Sequence, residues 1–95
     1  MSLQPLDGPA VYGNLSVSTT AVELKVGASV LEERKVATIL PTDGTIYFGY
    51  DNTVTINTGT PIYKQQFFPF EVSEQLSIWV ITETGTVNCR ITEVA

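Results

Sequence analysis

Apolar and polar residues alternate with a period of two along most of this chain, the pattern of strands with one buried face. Leu15 and Val17 alternate with Asn14, Ser16 and Ser18, and Val22, Leu24 and Val26 alternate with Glu23 and Lys25 until Gly27 interrupts them. A strand over residues 36–40 closes on Pro41-Thr42-Asp43-Gly44, a turn with proline and glycine. Further strands are predicted over residues 45–50, 54–57 and 61–65, each bounded by Gly, Asn or Asp. Residues 67–72 contain Pro69. Proline cannot donate to a ladder, so that piece reads as an edge or a bulge. Residues 76–82 are apolar on both faces, which predicts a central, doubly covered strand. Thr84-Gly85 turns into a last strand over residues 86–94. Residues 28–34 could hold one helical turn, too short to stand alone.

About seven to nine short strands at spacings of about 8–12 residues predict an all-β fold, a compact antiparallel β-sandwich or small barrel. Residues 1–10 carry two prolines, a glycine and an aspartate and read as an extended N-terminal arm. Residues 11–95 form a single β-sandwich domain in this reading. A chain of 95 residues can bury roughly 60–70% of its unfolded surface, enough for one modest core.

Charge narrows the partners. Five Lys and Arg stand against ten Asp and Glu, for a net charge of -5. Nucleic-acid affinity rests on cationic contacts to phosphate, so no nucleic-acid partner is expected. The same charge opposes an anionic membrane. No run of about 18 apolar residues spans a bilayer, and the N-terminus lacks the basic start and apolar core of a signal peptide. The one cysteine, Cys89, permits no intrachain disulfide and fits synthesis in a reducing cytoplasm. Its place between Val87 and Ile91 predicts a buried apolar role.

Catalytic chemistry finds little to work with. The sequence has no histidine, which removes a Ser-His-Asp triad, a Cys-His pair and an imidazole metal site. Lys25, Lys35 and Lys64 have no serine at a recognisable motif spacing. Glu32 and Glu33 are adjacent and would face opposite sides of a strand, and Glu71 with Glu74 reads as a solvated rim. Asp43, Asp51, Asn52 and Asn57 offer oxygen ligands, but their spacing matches no known calcium loop, and turn chemistry explains them. No enzyme, no cofactor and no metal are expected. Asn14-Leu15-Ser16 matches a glycosylation triplet, a chance match without an export signal.

Aromatic residues are the better lead. Tyr47 and Phe48 are adjacent, as are Phe67 and Phe68, so one of each pair points away from the core. Outward aromatics on a small acidic domain mark protein contacts or, as the alternative, a carbohydrate platform in which Tyr50, Tyr63 and Trp79 would stack on sugar. Tyr47, Tyr50, Tyr63, Phe67, Phe68 and Trp79 are therefore partner-contact candidates, with Leu3 and Leu6 on the arm. Arg34 and Arg90 lie among apolar neighbours, and a buried arginine needs a carboxylate. Glu23, Glu32 and Glu93 are the available partners, with Arg34, Arg90 and Glu93 the structural ion-pair candidates.

The order of these features over residues 30–93 resembles small structural proteins and domains of tailed-bacteriophage virions. The matching positions are Arg34, then Ile46-Tyr47-Phe48-Gly49, then Asp51, Val54, Thr55, Gly59 and Pro61. Phe70 and Val72, the stretch 76–81 and the closing 87–93 complete the set. The chain departs from that pattern at Thr42-Asp43-Gly44 and at Lys64-Gln65-Gln66. The resemblance implies a compact β-sandwich, commonly a trimer, made in the bacterial cytoplasm and placed on the virion. There it would decorate or cement the capsid surface or serve as a head-fibre component. It also implies two alternatives: a receptor- or carbohydrate-binding module of a tail tip or fibre, and a small baseplate or head–tail adaptor.

Overall fold

A computed structural model describes residues 7–95. The described chain is all-β, with eight strands and no helix. They are β1 (Ala10–Val17), β2 (Val22–Glu23), β3 (Val36–Pro41), β4 (Ile46–Gly49), β5 (Thr60–Ile62), β6 (Phe68–Phe70), β7 (Trp79–Ile81) and β8 (Val87–Val94). Two antiparallel four-stranded sheets result, ordered β1-β8-β3-β6 and β2-β7-β4-β5. The fold is a small β-sandwich.

Alternation builds the core directly. Along β8, Val87, Cys89, Ile91 and Glu93 turn inward and are buried. Across the same sheet Ala37 and Ile39 do so from β3, and Phe70 from β6. The second sheet contributes Ile46 and Phe48 from β4, Ile62 from β5 and Val80 from β7. Phe48 meets Phe70 edge-on at 4.9 Å and Phe68 at 5.3 Å. These ring contacts place β4 over β6, which leaves β1 and β2 as the edges at the opposite side of the sandwich. Pro69 lies on the edge strand β6, where its missing N–H breaks no ladder bond.

Several expected elements take another form. Residues 54–57 are a turn, not a strand. Asp51 Oδ1 accepts the Thr53 N–H at 2.9 Å, and Thr55 and Thr58 bond each other's turn through their hydroxyls. Val54 then folds back into a slot between two glycines: a Cβ on Gly49 would lie 2.7 Å from Val54, and one on Gly59 2.9 Å. Side chains at either position would evict Val54. Residues 28–34 hold no helical turn. The Arg34 N–H donates to the Leu31 carbonyl in an isolated turn, with Glu33 at φ 60.

The strand expected over residues 22–26 shortens to β2: the Leu24 N–H still donates to the Ile78 carbonyl in the β2–β7 register, but the Val26 N–H turns away to the Glu93 carboxylate. Strand β7 is interior to its sheet, but only one of its faces is sealed: Ile78, Val80 and Thr82 are buried, while Trp79 and Ile81 are half-buried. The arm boundary also moves. Ala10 belongs to β1, and the Gly8 N–H donates to the Ala95 carbonyl at 3.0 Å, extending contact with β8. Leu3 and Leu6, expected to make contacts, lie outside the described residues.

Candidate functional site

One buried polar constellation fixes the loops between the sheets. Arg34 Nη1 lies 2.9 Å from Glu93 Oε2, and both side chains are fully shielded from solvent. Glu93 also accepts the Val26 N–H at 2.8 Å and the Leu31 N–H at 3.1 Å. Arg34 Nη2 donates to the Ser73 and Leu76 carbonyls at 3.0 and 2.8 Å, and Nη1 reaches the Leu24 carbonyl at 3.4 Å. The pair thus ties segments 24–34 and 73–76 to β8. Arg34 Nε has no hydrogen-bond partner. The remaining donors and acceptors of the pair are consumed internally, so the constellation serves as a lock.

Arg90 differs. The parity that buries Cys89 and Ile91 turns Arg90 to solvent, where its Nη1 donates to Asn14 Oδ1 at 2.6 Å. Being exposed, it needs no carboxylate and is not a member of a buried ion pair.

The acidic turns are occupied by their own backbone. Asp43 Oδ1 accepts the Asn88 N–H at 2.9 Å. Bonds from the Thr53 hydroxyl and then the Thr53 N–H hold the Asp51 carboxyl below its ordinary range. Among the described residues no group of three His, Cys, Asp or Glu gathers as metal ligands. Cys89 is fully buried, and burial, with a smaller push from the Asp43 charge, raises its thiol to about 12. Such a thiol stays neutral and unreactive at physiological pH.

The predicted contact residues divide among separate surfaces. Register pairs Tyr47 with Ile81 and with Pro61, and Gly49 with Trp79, so Trp79, Ile81, Tyr47 and Pro61 share the outer face of the second sheet. All four are half-buried. Glu23 flanks Trp79 across the ladder and pairs with Lys25 at 3.3 Å, giving this apolar face a charged border. Tyr50, Tyr63 and Phe67 are exposed on loops. Phe68 instead packs with Phe48 and Phe70 and belongs to the core's margin.

Tyr12, absent from the sequence-derived candidates, is the most exposed large hydrophobic side chain among the described residues, at 83%. Alternation contains the signal: if Leu15 and Val17 face inward, Tyr12 shares the outward parity of Asn14 and Ser16. With Asn14, Arg90 and Thr92 it lines a groove of about 370 Å³ on the outer face of the first sheet.

Comparison with protein families, characterised proteins and solved structures gives no match to this chain.

Proposed function

We propose that this protein is a non-enzymatic structural component of a bacteriophage virion that self-associates and decorates or reinforces the capsid surface. The observation that carries the reading is the apolar outer face of the second sheet. Trp79, Ile81, Tyr47 and Pro61 lie side by side there, bordered by the Glu23–Lys25 pair. An aromatic centre with a charged rim is the composition of a protein contact, since central aromatic burial supplies affinity and rim charges supply orientation. The ordered likeness to virion proteins supports the same reading. Repetition on a symmetric particle multiplies modest contacts into stable attachment. The test is cosedimentation of purified protein with particles that lack it, followed by electron microscopy. Wild type binds at regular positions and Trp79→Ala does not. A wild-type protein that never sediments with particles overturns the proposal.

A second reading rests on the Tyr12 groove. A tyrosine face beside Asn14, Arg90 and Thr92 has the stacking surface and hydrogen-bonding groups that sugars require. This is the carbohydrate-module alternative moved from Tyr50, Tyr63 and Trp79 to another surface. Glycan-array binding that Tyr12→Ala abolishes would establish it, and silence across arrays and host cells would remove it.

A further inference from the structure

Among the described residues, the long edge of the first sheet is open. Strand β1 runs for eight residues as AVYGNLSV, with no charge and no proline. On one side it pairs along its full length with β8. Ladder geometry directs alternate residues of a strand to opposite neighbours. The Ala95 N–H donates to the Pro9 carbonyl, so the odd-numbered residues of β1 bond β8. The N–H and C=O groups of Ala10, Tyr12, Asn14 and Ser16 therefore face away from β8. Among the described residues no backbone group bonds them.

The sandwich is unsealed along the same side. Strand β2, the corresponding edge of the other sheet, has two residues against the eight of β1. Leu15, Val22 and Val26 pack on the core yet remain half-buried, as does Val11. A long, uncharged, apolar-backed edge is a template for another strand.

Building on the proposed self-association, we infer that the partner of this edge is β1 of a second copy, paired antiparallel across a two-fold axis at Gly13. The strand is complementary to itself in that register. Ala10 faces Ser16 of the second copy and Tyr12 faces its Asn14, so all four outward-bonding residues are satisfied in both chains. Val11 meets the other Leu15 on the inner face, covering the half-buried strip. Gly13 faces its own copy as a non-hydrogen-bonded pair, where Cα atoms approach most closely. Each copy has a net charge of -5, but the joined strands are neutral, so no like charges meet at the axis. The two four-stranded sheets become one of eight. Seven residues a side, 10–16, fall short of the roughly 20–30 of a standard interface, so the pairing depends on concentration. Two-fold pairing gives an even-numbered assembly, which mass separates from the trimer implied by the resemblance.

Three variants test the inference. Gly13→Cys places a thiol at the axis, and a Cβ there has room, 3.5 Å from Val26. Mild oxidation is expected to convert most of this variant to a reductant-sensitive dimer. Ser16→Cys, whose thiol would face Ala10, should cross-link far less. Asn14→Pro removes an outward N–H in each copy and follows a glycine, which relieves the usual clash before proline. It should leave the monomer folded by circular dichroism and raise the concentration at which half the chains associate more than about tenfold. Light scattering on the wild type should show a mass rising from 10.3 kDa towards twice that value with concentration. If wild type associates but Gly13→Cys cross-links no better than Ser16→Cys, the edge inference fails and self-association stands. The edge inference fails equally if a folded Asn14→Pro associates as well as wild type. A wild type that stays at 10.3 kDa at every concentration overturns both.

Discussion

Replacing Glu93 by glutamine removes a charge and almost no volume, and the structure assigns that change a large cost. Three donors converge on the carboxylate: Arg34 Nη1 at 2.9 Å, the Val26 N–H at 2.8 Å and the Leu31 N–H at 3.1 Å. A glutamine offers one acceptor oxygen, and its NH2 would confront at least one of those donors. The Arg34 guanidinium would meanwhile remain fully buried without its counter-charge. Breaking a buried pair from one side costs roughly 3–5 kcal/mol. A 95-residue domain has about 5–14 kcal/mol of total stability, so Glu93→Gln should remove about a fifth of it or more. Urea unfolding followed by fluorescence of Trp79 reads this directly. With an m-value near about 1.5 kcal/mol per molar, the midpoint should fall by about 2–3 M. Arg34→Met should cost a similar amount, and the double variant should cost less than the two singles together by about 1–3 kcal/mol. Arg90→Met, changing an exposed arginine, should stay within about 0.5 kcal/mol of wild type. A Glu93→Gln midpoint within about 0.5 M of wild type would refute the reasoning, as would strict additivity of the two singles.

Other expectations follow from the packing and from the thiol. Gly49→Ala brings a methyl within 2.8 Å of two Val54 atoms and should destabilise the fold by about 1–3 kcal/mol in the same urea assay. Phe48→Ala, at the centre of the ring cluster, should cost about 3–5 kcal/mol. Cys89 should resist alkylation in the folded protein at pH 8 and react at once in urea. Its folded-state pKa, about 12, lies above the ordinary thiol value of 9.0, so burial favours the neutral thiol. The stability tied to that thiol is complete below pH 9 and is lost as pH rises from 9.0 towards about 12. Comparison with Cys89→Val isolates this loss from other groups that titrate there, and identical alkaline profiles for the two proteins would contradict it.

Period-two alternation reads best where strands are long. It orients β8 so that Cys89 and Glu93 face inward and Arg90 outward, and Pro69 marks the edge strand in the sequence itself. Of three possible acidic partners for Arg34, Glu93 is the one whose strand parity places it in the core. What the pattern misses depends on contacts distant in sequence. Val54 looks like the start of a strand because it is β-branched, yet it is buried by slotting between Gly49 and Gly59. Leu24 and Val26 continue an alternating run, and Leu24 keeps the register by bonding Ile78, but the buried Glu93 carboxylate captures the Val26 N–H and ends the strand. Tyr12 is open to the parity argument and escapes attention because Gly13 interrupts the apolar side of its strand. The self-complementarity of β1 emerges once register shows which amides β8 has left free.

The central claim is that this sandwich acts through contacts with its neighbours, beginning with its own open edge. Amide hydrogen exchange at Tyr12, Asn14 and Ser16 tests it most directly, because these N–H groups are unprotected in a monomer and bonded in the paired form. Protection at these three amides should appear and grow as protein concentration rises, while the amides of Gly13 and Leu15, bonded to β8, stay slow throughout. Fast exchange at Tyr12, Asn14 and Ser16 at every concentration, with β8 protected as usual, would contradict it.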